Sequence, residues 1–286
     1  MELSVLIPAR NAAETIERSV LSTLRALPDD SEVVVLDDGS IDDTSERARG
    51  VKDRRLRVIT SDSGSGVAAA LNRLVDESSS RLIARMDADD VALPGRFKTQ
   101  IAALSRSVDI VFGGVIHFGS KLRYPYPSPP FAISPAAFPI ALLIENPVAH
   151  STMVASRAVI TDLGGYRECL AEDYDLWMRA AASGFRLSRL SNPVLGLRRH
   201  NGQVTADGSW AERAAVEPEW QESYASLAAE QGLIDDTPAT RLRLRSETSL
   251  RSKRFLIQPE LSAAVRHLNV RDRIALAFLR RRAERQ

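Results

Sequence analysis

The chain has 286 residues, 44% of them apolar, and a formal net charge of +1. That is enough for a sizeable core and too balanced to recruit nucleic acid through a whole-protein field, so nucleic acid is not expected as a partner. A single cysteine, Cys169, excludes an internal disulfide framework and a thiolate metal site and points to a reducing compartment, the cytosol.

Short apolar runs that alternate with helix-period segments predict an α/β domain around a largely parallel sheet, because parallel strands are buried on both faces and need crossover helices. Residues 4–7 read as the first strand. Asn11 and Glu14 then have capping-box spacing ahead of a helix whose apolar face is Ile16, Val20, Leu21 and Leu24. Residues 32–36 form a second buried strand closed by Asp37-Asp38-Gly39-Ser40, residues 56–59 a third, and Gly64-Ser65-Gly66 opens a helix through Val75. Residues 81–86 supply a strand that ends on Asp87-Ala88-Asp89-Asp90. Pro94 follows where the first turn of a helix tolerates it, and Phe97, Ile101 and Leu104 give that helix its apolar face. After a strand-like segment at 108–112, the proline-rich stretch 124–139 predicts an irregular surface loop, a candidate acceptor loop or lid. A His150-Ser151-Thr152 turn, a helix over 176–182 and a strand over 193–197 complete a domain expected over 1–205. From 206 to 286 strand alternation is lost, and the chain reads as a helical extension with turns at Pro218, Pro238 and Pro259.

No run approaches the roughly 18 to 20 apolar residues of a membrane span, and the first eight residues carry neither a basic leader nor a cleavage site. Any membrane contact is therefore expected to be peripheral.

Two buried strands both run into paired aspartates. In an open parallel sheet ligands bind beyond the carboxyl ends of the strands, which brings both pairs to one crevice. Crowded carboxylates are costly unless a cation or hydrogen-bond donors compensate, and hard oxygen ligands suit Mg²⁺ or Mn²⁺. An ion held by Asp89 also attracts a diphosphate. Taken singly, Asp37-Asp38-Gly39-Ser40 reads equally as a turn and cap.

With these motifs assembled, the chain resembles the inverting, GT-A-fold nucleotide-sugar transferases of bacterial type known as glycosyltransferase family two, over about residues 3–205. Ser4-Val5-Leu6-Ile7-Pro8-Ala9-Arg10-Asn11 resembles the family's opening strand and loop, which implies that Pro8, Ala9, Arg10 and Asn11 lie beside the donor nucleotide. By the same resemblance Asp38 contacts the uracil of a uridine nucleotide, and the small-residue helix start Gly66 to Asn72 lines the donor site through those two residues. Asp87-Ala88-Asp89 is similar to the family's metal motif: Asp89 is the implied Mn²⁺ or Mg²⁺ ligand, joined by His200, with Asp87 nearer the ribose and Ala88 also at the donor nucleotide. Glu172-Asp173-Tyr174-Asp175-Leu176-Trp177 resembles the acceptor half, where Asp173 serves as general base. His150, Glu172, Trp177 and Arg199 are the implied acceptor or diphosphate contacts.

The chain departs from the family pattern at three points. Ser63 and Ser65 flank Gly64 where an asparagine is common, Arg10 stands where an aromatic usually precedes Asn11, and Leu197 and Arg198 fill another aromatic neighbourhood. Arg10 reads either as a phosphate contact or as an exposed side chain. His150 reads either as a ligand or as a satisfied core histidine, and Trp177 as core or sugar platform.

Asp173 suits the chemistry, because an acceptor hydroxyl must lose its proton as it attacks the anomeric carbon. A UDP-sugar donor and a glycan or lipid-linked glycan acceptor in cell-envelope polysaccharide or glycolipid synthesis follow from the resemblance. A nucleotidyltransferase, or a non-catalytic sugar-nucleotide-binding protein, is the alternative. In the tail, Asn269 and Asp272 have cap spacing ahead of a helix carrying Val270, Ile274, Ala277 and Phe278 before Arg280-Arg281-Arg282. That helix either lies on an anionic membrane, at its inner face, or packs on the protein.

Overall fold

The computed structural model describes residues 1–104, 107–120, 122–200, 210–247 and 249–284. Its strands and helices run β1 (Leu3–Ala9), α1 (Ile16–Ala26), β2 (Ser31–Asp38), α2 (Thr44–Gly50), β3 (Leu56–Ser61), α3 (Val67–Asp76), β4 (Leu82–Arg85), β5 (Val91–Ala92), α4 (Arg96–Ala103), β6 (Ile110–Phe118), β7 (Tyr126–Pro127), α5 (Phe138–Ile144), β8 (Val154–Ser156), α6 (Arg157–Asp162), α7 (Glu172–Ala182), β9 (Leu187–Arg198) and then six helices. Those are α8 (Trp210–Ala215), α9 (Pro218–Glu230), α10 (Pro238–Ser246), α11 (Leu250–Leu256), α12 (Gln258–Arg266) and α13 (Val270–Ala283). Every predicted strand is present, and the predicted turns at Pro218, Pro238 and Pro259 are helix starts, where a missing amide hydrogen costs nothing.

The sheet order is β3-β2-β1-β4-β8-β6-β9-β5, with β7 on β6. The parallel pairings join β3, β2, β1 and β4, in the register Ala9 to Asp37 and Leu6 to Arg85. Consequently the loops after β1, β2 and β4 leave the sheet at one end. The strands β8, β5 and β7 pair antiparallel to their neighbours. β1 and β2 are buried on both faces, as their unbroken apolar runs require.

Contacts divide the chain into two compact units. The first comprises 1–130, 148–166 and 190–200, and the second 131–147, 167–189 and 201–286. The expected boundary at 205 lies outside the described residues. Two earlier segments, including α5 and α7, also belong to the helical unit. Sequence texture misses them because each is a single helix between strands. The second unit's core is aromatic: Trp220 stacks on Tyr224 and meets Tyr174 edge-on. Among the described residues no helix is long and apolar enough to cross a membrane.

Three local expectations are corrected. The helix after β1 begins at Ile16 with no side-chain cap, and Asn11 instead takes a left-handed backbone (φ 50°) while its Oδ1 accepts from the Ile41 amide at 3.0 Å. Asn11 therefore joins two loops rather than capping a helix. Pro94 lies just ahead of α4, whose first turn starts at Arg96 after Gly95 in the left-handed region. The stretch 124–139 is not wholly irregular, since it holds β7 and the start of α5.

Candidate functional site

In the first unit, the loops beyond β1, β2 and β4 are tied to one another. The Asp38 carboxylate accepts from the Ser65 amide at 2.9 and 3.0 Å, the Ser65 hydroxyl at 2.8 Å and the Gly66 amide at 3.2 Å. The neighbouring Asp37 accepts from the Ser40 amide at 3.0 Å. Gly39, at φ +71°, passes so close that a Cβ there would lie 2.5 Å from the Gly64 nitrogen. A side chain is excluded by both conformation and space. The Arg10 guanidinium lies against Gly64, so the departure from the family pattern at residues 10 and 63–65 is a single packed arrangement. Asn72 has both ends of its amide on the Tyr166 backbone, at 2.8 Å each.

At the end of β4, Asp87, Asp89 and Asp90 each present an oxygen within 4.8 Å of the others. Their surroundings differ. Asp87 pairs with the buried Arg85, while its carbonyl accepts from Ser19 Oγ at 2.8 Å. Asp89 Oδ2 lies 3.0 Å from His200 Nε2, and Arg198 Nε donates to its carbonyl at 2.9 Å. Asp90 is buried and accepts from Ser151 Oγ and the Arg198 amide, both at 2.8 Å. Burial, reinforced by the Asp89 charge, pushes the Asp90 carboxyl up to about 6. Asp90 fastens β9 and the 150–152 turn to the cluster.

Beneath the cluster Arg96 is buried, donating to the carbonyls of Arg85 (2.8 Å) and Ser151 (2.7 Å). Burial brings its guanidinium down to about 9, opposed by the Asp90 charge. Three hard-oxygen donors, with two left accessible and one imidazole on Asp89, are a donor set that fits Mg²⁺ or Mn²⁺. His150 meets the Tyr166 hydroxyl at 3.0 Å through Nε2, and burial holds its imidazole well below the usual range. Its ring is therefore neutral and partnered, as the satisfied-histidine reading requires. Arg199 is anchored by its amide on the Phe118 carbonyl at 2.7 Å, and Arg198 lies over the Phe118 ring.

In the second unit, α7 opens on Glu172 and Asp173, where carboxylates meet the positive end of the helix. Asp173 accepts from Asn146 Nδ2 at 3.1 Å and from the Tyr174 amide at 2.7 Å, and it is partly accessible. Asn146 follows Glu145, which Arg282 of α13 holds at 3.0 Å. Two residues along, Asp175 is fully buried between Arg167 and Arg179, with Ser223 Oγ donating at 2.7 Å. Trp177 is also fully buried. Its ring fills the core on the inward face of α7 and offers no surface to a sugar, which corrects its expected role as an acceptor contact. Cys169 is partly buried, and burial pushes its thiol up to about 12, far from a reactive thiolate.

The model of the family described as Glycosyl transferase family 2 matches residues 4–161, more than half the chain. The chain belongs to glycosyltransferase family 2. Its relatives in the family include the succinoglycan biosynthesis protein ExoU of Rhizobium meliloti, 34% identical over 208 residues, a match covering 65% of this chain and 58% of that protein. The chain therefore spans under two thirds of that relative's length. The Escherichia coli protein named UDP-Glc:alpha-D-GlcNAc-diphosphoundecaprenol beta-1,3-glucosyltransferase WfgD is 30% identical, with 62% of this chain and 68% of that protein covered. Among solved structures, S. aureus TarS 1–349 in complex with UDP-GlcNAc superposes with a TM-score of 0.63 at 18% identity, covering 98% of this chain and 79% of that one. The expected GT-A fold and membership of glycosyltransferase family 2 are borne out.

The family resemblance gave no role to Arg85, Arg96, Arg198, Asn146 or Ser151, although Ser151 lies in its His150-Ser151-Thr152 motif. The signal for the arginines was present in Pro94-Gly95-Arg96 and Arg198-Arg199, since cations near crowded aspartates are the alternative to a metal. Nothing in the sequence marks Asn146, whose partner lies 27 residues away.

Proposed function

We propose that this glycosyltransferase is inverting and metal-dependent. It moves a sugar from a UDP-sugar to a lipid-linked glycan acceptor in cell-envelope polysaccharide or glycolipid synthesis, at the inner face of the membrane. The observation that carries this reading is the three-carboxylate cluster at the end of β4, with His200 on Asp89. Asp89 and His200 would hold a divalent cation with Asp87 alongside. When bound, the ion supplies positive charge to the leaving diphosphate. Asp90, already committed to Ser151 and the Arg198 amide, sets the position of the strand end that precedes His200. Pro8, Ala9, Arg10, Asn11, Asp38 and Gly66 border the nucleotide, with Asp38 turned to uracil. Its bonds to Ser65 and Gly66 fix the third loop beside that carboxylate. Asn72 contributes through the Tyr166 segment it holds, and Arg199 contacts the diphosphate.

Asp173 accepts the proton of the acceptor hydroxyl as that oxygen attacks the anomeric carbon, with Glu172 at the acceptor. Asn146 orients the carboxylate. A single displacement inverts the anomeric centre, and no covalent sugar on the protein is needed. UDP as the donor nucleotide is supported by the nucleotides named for TarS and WfgD, and the lipid-linked acceptor by the name of WfgD.

A donor panel with Mn²⁺, scored by nucleoside diphosphate released and repeated with candidate diphospholipid-linked acceptors, tests the assignment. Release from UDP-sugars that is lost in Asp89→Ala is expected. Equal nucleotide binding by Asp89→Ala with and without Mn²⁺ would overturn the metal assignment.

A further inference from the structure

Residues 238–286 contain thirteen lysines and arginines against four acidic residues, a net charge of +9, which leaves residues 1–237 at −8. The near-neutral whole thus conceals a strongly basic end. Its last helix, α13, was expected to carry Val270, Ile274, Ala277 and Phe278 on one face. The structure reveals two apolar faces. Ala275, Leu276, Leu279 and Ala283 are buried within the second unit, and Asp272 turns inward with them to accept from the Ser134 amide at 3.0 Å and its hydroxyl at 2.6 Å. The expected face is the other one, largely in solvent: Val270 is 60% exposed and Ile274 63%, while Phe278, at 40%, also meets the Phe131 ring at 5.4 Å and keeps its other side open.

At four-residue spacing these three side chains form a stripe over an arc of about 80°, opposite the buried face. Arg271 flanks the stripe on one side and Arg273 on the other, and Arg281 continues it at the carboxyl end. Among the described residues none of the three forms an ion pair, and the helix's early carboxylate is the buried one. Exposed apolar side chains bordered by unpaired arginines match a layer with hydrocarbon beneath and anionic groups above. A nucleic acid would complement the arginines and leave the stripe in water.

We propose that α13 docks the protein on an anionic phospholipid bilayer, with Val270, Ile274 and Phe278 entering the acyl boundary and Arg271, Arg273 and Arg281 meeting lipid phosphates. Docking would hold at the bilayer the unit that carries Asp173, through the Arg282–Glu145 ion pair beside Asn146. That purpose rests on the reading of a lipid-linked acceptor. The docking itself does not.

The test is co-sedimentation of the full chain with vesicles of phosphatidylcholine alone or with roughly 30% phosphatidylglycerol. Binding only to the anionic vesicles, weakened by salt, is expected. Val270→Glu/Ile274→Glu should abolish it, and Arg271→Gln/Arg273→Gln/Arg281→Gln should weaken it about a hundredfold, at about fivefold or more per arginine. All five positions are exposed, so unchanged thermal unfolding of both variants guards against misfolding. Nucleoside diphosphate release in detergent solution should also be unchanged, which separates failure of docking from failure of the enzymatic reading. Three results overturn the proposal: equal pelleting with neutral vesicles, unaltered binding by the Glu variant, or a concentration-dependent dimer that the Glu variant abolishes without any vesicle binding.

Discussion

Two of the acidic clusters of this chain, at the end of β4 and at the start of α7, have opposite fates. At the end of β4, Asp89 has one imidazole for company and Asp87 one arginine, and their side chains remain 26% and 37% exposed. At the start of α7, Asp175 is fully buried, held by two arginines and a serine. A fully buried carboxylate already held by two arginines is architecture, since its charge is compensated and no ligand reaches it. A carboxylate left partly compensated and reachable has free energy to gain from a cation. Asp173 falls between the two, close in sequence to Asp175, with one amide side chain on it and part of its surface open.

The largest effect should come from setting Asp173 against Asp175. Asp173→Asn is expected to lower transfer by about 10²–10⁴-fold while the Kd for nucleotide stays within about twofold, because only proton transfer is lost. Retained turnover in steady-state assays would move the base elsewhere. Asp175→Ala strips a buried carboxylate from two buried or half-buried arginines and should destabilise folding by about 3–5 kcal/mol, read from urea midpoints. A loss under 1 kcal/mol would mean that the ion cluster is not structural. Within the β4 cluster the expected effect is smaller and depends on pH. Asp90 titrates near 6 in the folded chain against an ordinary 3.8, so between about pH 4 and pH 6 the folded state binds the extra proton. Metal-free stability must then fall as pH rises through that window, by up to about 3 kcal/mol. Asp90→Asn should flatten the slope of Tm against pH, and an unchanged slope would show that another group is responsible.

Much of this contrast is visible in the linear chain, though unevenly. The strands were legible because Val33-Val34-Val35-Leu36 and Leu82-Ile83-Ala84 are unbroken apolar runs, and the sheet brings their ends together as the rule for parallel strands requires. Asp89 and His200 stand 111 residues apart, yet both sit beside recognisable motifs, and the structure brings them to 3.0 Å. Trp177 shows the limit. Its motif left core and sugar platform both open, because the helical period alone does not say which side of α7 faces the core, and the ring is inside. For α13 the pattern located an apolar face and could not reveal a second, buried one, because the second includes an aspartate, Asp272, that a linear reading counts as polar.

By itself the sequence determined the α/β rhythm, the strand-end positions of the aspartates, the helical character of the last third and the family. Those properties follow from periodicity, turn chemistry and local motif order, which are carried by neighbouring residues. Only the tertiary structure decided which carboxylates are neutralised and which remain open: Asp175 by Arg167, Arg179 and Ser223, Asp90 by Ser151 and the Arg198 backbone, Asp89 by one histidine. Charge compensation depends on distance through space and on removal of water, and neither is a property of the order of residues along the chain.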